Sequence, residues 1–325
     1  MGMRFQKSRF AEPDALDRLC LSRVITGAAV VRTVWNMPPG KFLAEYSELL
    51  DRTKDDAPDT RTLHPILYEA IRVAAVTSTA AWALGAESRI VKLTANATFA
   101  VLQKYVVDFN KDLWSYNSHL NIFLGLISLA DTSSRGEAAD SPDHAAQEST
   151  AVAALMALQA YYAWVYLQSG LSKVVASGWS WTHGSTLRGA WGELGTPAGK
   201  KLAVSDIRWA RAASVATIIF ELGFAPALLT GWRYRQSLGA SSAAFHGAIK
   251  ATMNISFWHL SWFSAPLFVL PRPAVEVAAL NVRAMRAPRR KRWAVLAGVV
   301  VAAAPLVPVV LKEAARCTRE LRRNI

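Results

Sequence analysis

A chain of 325 residues that is 52% hydrophobic, with a mean hydropathy of +0.17, still carries a formal net charge of +13. Those values conflict for a soluble globule and agree for a polytopic membrane protein whose apolar spans are joined by basic loops. Spans of about 20 residues and their connections use up the length, leaving no room for a large extramembrane domain.

The N-terminus, MGMRFQKSRFAEPDALDR, lacks the apolar core and cleavage site of a signal peptide, so the first span is expected to act as its own insertion signal. Residues 19–36 form a weak span, because Arg23 and Arg32 bracket only eight uncharged residues. Its arginines are expected to turn toward protein or headgroups. Residues 38–61 read as a loop with a short surface helix. Spans follow at 66–86 and 89–107, joined by a tight turn around Gly85 and Glu87, and a fourth apolar run covers 113–130. An acidic, turn-forming connection leads to residues 149–172, a stretch of 24 without a charge, which Lys173 closes. The polar stretch 176–206 returns the chain to a span at 207–231. The next run, 237–270, would be about 50 Å long as one helix against a hydrocarbon core of about 30 Å. It is expected as two short spans, or a span and a re-entrant segment, broken near Asn254. A last span, 293–311, is kinked by Pro305 and Pro308.

The sequence therefore predicts an all-α fold: a polytopic integral membrane helical bundle with about 7–9 transmembrane helices, in one domain covering 1–325. Residues 272–292, with Arg283, Arg286, Arg289, Arg290, Lys291 and Arg292, form a basic loop placed on the cytoplasmic side, and 312–325 a basic tail. The expected partners are the lipid bilayer and its anionic headgroups. Nucleic acid is argued against, because the basic residues flank apolar runs and do not line a face interleaved with aromatics. Cys20 and Cys317 give no disulfide framework, metal-ligand spacing or redox pair.

Several spans carry polar groups that a purely structural bundle avoids. They are Asn117 and His119, Lys173, Glu221, His246 and His259. His246, Lys250 and Asn254 lie at four-residue intervals, on one helical face, which implies a polar cavity or a hydrogen-bonded network between helices. Taken singly, such residues also serve as interhelical glue. Lys173 reads either as a snorkelling residue at the water interface or as a base, since desolvating an ammonium group favours the neutral amine. No metal motif, phosphate loop or serine-nucleophile motif occurs, and no metal site is expected.

Four stretches, in order, carry a resemblance. They are Asn117-Ser118-His119-Leu120 opening a helix that ends in Ala130-Asp131; Gly170-Leu171-Ser172-Lys173 followed by Trp179; Glu221-Leu222-Gly223-Phe224; and Phe245-His246 through Met253-Asn254 to the segment ending in Phe268. The chain resembles the HTTM (horizontally transferred transmembrane) family, related to the membrane domain of vitamin K-dependent γ-glutamyl carboxylase, best matched over residues 115–270. The resemblance implies a quinol-dependent oxygenase or lyase that deprotonates a reduced quinone (vitamin K hydroquinone or menaquinol) with Lys173, for reaction with O₂ and carboxylation of a carbon acid. It implies Lys173, His246 and His119 as catalytic residues and Asn117, Trp179, Tyr162 and His259 as cofactor-binding ones. Ser172 stands where the animal enzyme has a second lysine, and the lumenal propeptide-binding domain has no counterpart here. A small or peptide substrate is therefore expected, in the bacterial cytoplasmic membrane. The alternative is a non-enzymatic HTTM protein for maturation, export or immunity of a secreted peptide.

Overall fold

A computed structural model describes residues 14–53, 63–110, 118–130, 132, 142–229 and 232–285. The chain divides into two compact units, Met1–Ala279 and Leu280–Ile325. The described residues form helices and no strand. Of the second unit, the described residues are the last turns of one helix.

Helix α1 (Ala15–Trp35) is the axis of the first unit, burying Leu16, Leu19, Val30 and Val34 among its neighbours. Helix α2 (Gly40–Thr53) presents Phe42 and Tyr46 outward and Leu43 inward. It is the surface helix expected within 38–61. Helices α3 (Pro65–Ala83) and α4 (Arg89–Asn110) form an antiparallel hairpin. Pro65 and a cap from His64 Nδ1, which accepts from the Ile66 amide, start α3. Gly85, at φ 102°, turns the chain back in a conformation that suits glycine. Both helices show large apolar side chains outward, among them Ile66, Val73, Ile90 and Leu93.

The chain continues through α5 (Ser118–Ser128), the long α6 (His144–Ser177) and a 3₁₀ turn, Gly178–His183. Short helices α7 (Ser185–Leu194) and α8 (Pro197–Ala203) occupy the polar stretch. Asp206 then caps α9 (Ile207–Ala227) by accepting from the Arg208 amide. Helix α10 (Trp232–Met253) ends where Asn254 takes a left-handed φ of 57°. The break expected near Asn254 is therefore present. Beyond it come α11 (Trp258–Ser264), a π turn at Ala265–Val269 and α12 (Arg272–Met285).

Two helical segments, His144–His183 and Ile207–Ala227, are long and apolar enough to cross a membrane. A third is reached if Trp258–Val269 and Arg272–Val282, bent by 115°, count as one span. Helices α1, α3 and α4 coincide in position with expected spans but are not among these. Of the fourth apolar run expected over 113–130, the described residues form α5, 11 residues long, and residues 113–117 lie outside the described residues. The span expected at 293–311 and residues 286–292 of the basic loop lie outside the described residues, while residues 272–285 of that loop form α12.

Two of the three arginines of α1, Arg18 and Arg23, turn inward. Arg18 donates to the carbonyls of Pro266 (3.0 Å) and Leu270 (2.9 Å), and Gln159 to that of Leu267 (3.0 Å). These donors bind backbone acceptors of the irregular π segment, which in hydrocarbon must be satisfied by protein. Arg23, 0% exposed, reaches Glu87 at 2.6 Å and Thr132 Oγ1 at 2.8 Å. Lys92 completes the cluster, 2.7 Å from the other oxygen of Glu87. Arg32 lies outside, stacked over Trp258 at 4.6 Å.

Candidate functional site

Helix α6 carries its polar side chains at three- and four-residue intervals: Gln159, Tyr162, Tyr166, Ser169 and Lys173. That spacing places them on one face of an otherwise apolar helix. The stripe faces the interior. Its first four members are within hydrogen-bonding reach of α9, α10, α11 or the π turn.

Helices α6 and α9 approach closely at Gly170, where a Cβ would lie 2.8 Å from Leu222 Cδ2 and 3.0 Å from Glu221 Cβ. That approach brings Lys173 of α6 and Glu221 of α9 together. Lys173 Nζ stands 2.8 Å from each oxygen of Glu221 and 2.7 Å from Ser169 Oγ. Ser169 Oγ in turn donates to Glu221 Oε1 at 2.9 Å. Three acceptors match the three N–H donors of an ammonium group. The side chains are 22% and 5% exposed, so the pair is shielded more on the glutamate side. Trp181 lies over the ammonium at 5.7 Å.

A second group lies nearer the middle of α6. His246 Nε2 is 2.6 Å from the Tyr166 hydroxyl, which is 2.6 Å from Ser242 Oγ. Ser242 is also 2.6 Å from the Tyr162 hydroxyl, which donates to the Leu260 carbonyl at 2.9 Å. Aromatic rings close around this chain, with Phe224 at 4.6 Å from Tyr166 and Phe268 at 5.3 Å from Tyr162. His246 Nδ1 is buried and has no hydrogen-bond partner among the described residues.

A third group joins α5, α6 and α11. His119 Nδ1 lies 2.9 Å from the Tyr161 hydroxyl, and the His119 and His259 rings are 5.7 Å apart. His259 is 1% exposed, and neither of its ring nitrogens has a hydrogen-bond partner among the described residues. A buried donor without a partner carries a desolvation cost of about 1–3 kcal/mol.

The expected residues are thus strung along α6. Tyr161, which holds His119, and Lys173 are separated by about 18 Å of helix rise, and Tyr166, which holds His246, lies between them. Tyr162 is buried, with its hydroxyl committed to Ser242 and Leu260. Trp179 is 66% exposed, and Trp181, two positions on, is the tryptophan that approaches Lys173. Asn117 lies outside the described residues. The stripe His246, Lys250, Asn254 divides: His246 enters the buried chain, while Lys250 is exposed and donates to Asn254 Oδ1 at 2.6 Å. The sequence reading missed Tyr166, Ser169 and Ser242 as polar contacts. The four-residue spacing of Tyr162 with Tyr166 and of Ser242 with His246 was the available signal. Among the described residues no group of three or more His, Cys, Asp or Glu is placed to hold a metal ion.

Comparisons with protein-family models, curated proteins and solved structures found no match to this chain.

Proposed function

We propose that the chain is an integral membrane protein of HTTM and carboxylase-like fold, with about 7–9 spans, that acts as a quinol-dependent enzyme through Lys173. The observation that carries this reading is the ion pair of Lys173 with Glu221 on two helices apolar enough to span a membrane. Intramembrane charges of this kind accompany proton-transfer sites. A proton passed from Lys173 Nζ to a Glu221 oxygen leaves a neutral amine and a neutral carboxyl, so the pair holds a base without exposing a charge to lipid.

The described residues fit a reduced quinone in part. His246 Nδ1 and both nitrogens of His259 have no hydrogen-bond partner among the described residues and would bind its hydroxyl oxygens or protons. Tyr162 and Trp179 do not fit as a ring wall: the first packs against Tyr166, Phe224 and Phe268, and the second faces outward. When bound, the quinol would supply the electrons for reaction with O₂. Lys173 would then take a proton, Glu221 would store one, and the phenylalanines around His246 would exclude water. Given the length of helix between them, Lys173 and His119 would not touch one ring together, so His246 is the histidine assigned to work with Lys173. Carboxylation of a small or peptide substrate is a further part of the proposal. Residence in the bacterial cytoplasmic membrane, in contact with anionic headgroups, belongs to it as well.

One observation favours the non-enzymatic alternative, a scaffold for maturation, export or immunity of a secreted peptide. All three N–H groups of Lys173 already have acceptors, as in a structural tie. The deciding experiment mixes the protein in nanodiscs with menaquinol, then O₂, and follows quinone epoxide by mass spectrometry. The enzyme reading expects epoxide from wild type and its loss, in folded protein, on Lys173→Met. Absence of epoxide from folded wild type that binds menaquinone would leave the scaffold reading.

A further inference from the structure

The chain of hydroxyls ending at His246 has a fixed direction, and that direction selects a tautomer. A backbone carbonyl only accepts, so the contact with Leu260 uses the single proton of the Tyr162 hydroxyl. Tyr162 then has none to offer Ser242, and the Ser242 hydroxyl must donate to it. Ser242 has now used its own proton, so the Tyr166 hydroxyl donates to Ser242. Tyr166 is left as an acceptor toward the imidazole, and His246 Nε2 must carry the hydrogen. A neutral imidazole has one N–H, which leaves Nδ1 as a bare lone pair. That nitrogen is the buried atom without a partner among the described residues, and the Phe245 and Phe257 rings flank the imidazole at 5.5 and 5.1 Å.

We propose that Tyr162, Ser242 and Tyr166 are positioning residues that hold His246 in the Nε2–H tautomer, so that Nδ1 receives a protic group of the bound ligand. This rests on the quinol reading for the ligand's identity and not for the tautomer. A lone pair in an apolar enclosure attracts a hydroxyl and repels a carbonyl or carboxylate oxygen. The site therefore favours a reduced quinone, which carries two O–H groups, over the oxidised form, which offers only acceptors. One good neutral hydrogen bond corresponds to a preference of roughly tenfold.

The test is ¹⁵N solid-state NMR of the full chain with labelled histidine in lipid bilayers, with the His246 signals identified by difference from His246→Gln. Wild type is expected to show a protonated Nε2 and an unprotonated Nδ1. Ser242→Ala removes the acceptor of the Tyr166 hydroxyl, which then turns to donate to Nε2 and moves the hydrogen to Nδ1. Ser242→Thr keeps the hydroxyl and should restore the wild-type pattern. An Nδ1–H or doubly protonated ring in wild type overturns the proposal, as does an unchanged tautomer in both Ser242→Ala and Tyr166→Phe. A titration with reduced and oxidised menaquinone separates the two readings. The expected tautomer with a reduced-form preference that falls in Ser242→Ala supports both. The expected tautomer with no menaquinol binding keeps the lock and sinks the quinol reading.

Discussion

Around Glu87 one carboxylate faces two cations, Arg23 and Lys92, whereas around Glu221, among the described residues, one carboxylate faces the single cation Lys173. The first cluster ties α1 to the α3–α4 turn and to Thr132, with its arginine wholly enclosed. The second joins two helices near the end of α6, with the ammonium group part-exposed and within reach of water. Both are intramembrane charges on the present reading, so charge alone does not mark the working site. What separates them is the neighbourhood: the Lys173 pair lies along α6 from buried imidazole nitrogens that no described residue satisfies.

The largest effect should come from Arg23→Leu, which takes from Glu87 one of its two cations and removes the donor to Thr132. Each buried acceptor left without this guanidinium costs about 1–3 kcal/mol, and the thermal midpoint of detergent-solubilised protein should fall accordingly. Glu221→Leu should cost less, about 1–3 kcal/mol, because the freed lysine can turn its ammonium group to water. Adding Lys173→Met to it should recover most of that loss. A double-mutant cycle without coupling at Lys173 and Glu221 would break the contrast drawn here. Gly170→Val should force α6 and α9 apart, costing about 1–3 kcal/mol and weakening the same coupling, which a repeat of the cycle in that background would read.

Two smaller changes lie outside both clusters. Asn254→Val should cost about 1–2 kcal/mol through its left-handed backbone, whereas Asn254→Gly should be close to neutral; thermal midpoints of the two variants would show the difference. Arg208 holds the Asp206 carboxyl below its ordinary value of 3.8, first through its side chain and then through its amide. A depressed carboxylate stabilises above its unfolded pKa and loses that contribution as pH falls through the folded one. Asp206→Asn keeps the cap, so its midpoint should drop slightly less than wild type between pH 5 and pH 3.

Much of the helix plan was legible because charges and turn residues bound the apolar runs. Gly85 and Asn254 fall where the backbone takes positive φ, and the expected edges near 66, 89 and 207 match observed helix starts. The arginines of the first span were expected to turn toward protein or headgroups; Arg23 turns toward protein, and its partners were not foreseen, since Glu87 and Lys92 read as loop and helix-start residues. Lys173 and Glu221 were each singled out, yet their pairing depends on the approach at Gly170, a three-dimensional fact. Tyr166 and Ser242 carry no charge and sit in apolar or small-residue runs, so neither hydropathy nor charge points to them. Their role appears only when four hydroxyl and ring contacts are seen in sequence.

The carbonyls of Pro266 and Leu270 take their hydrogen bonds from Arg18, some 250 positions earlier in the chain. Biogenesis inherits an order from this. The first helix leaves the ribosome long before the π turn exists, and must wait with a charged guanidinium until that late segment arrives. On the membrane reading the turn, for its part, has acceptors that lipid cannot satisfy until α1 is beside it. On that reading, insertion of the two is not a series of independent entries but a closing step, in which a late segment completes what α1 started.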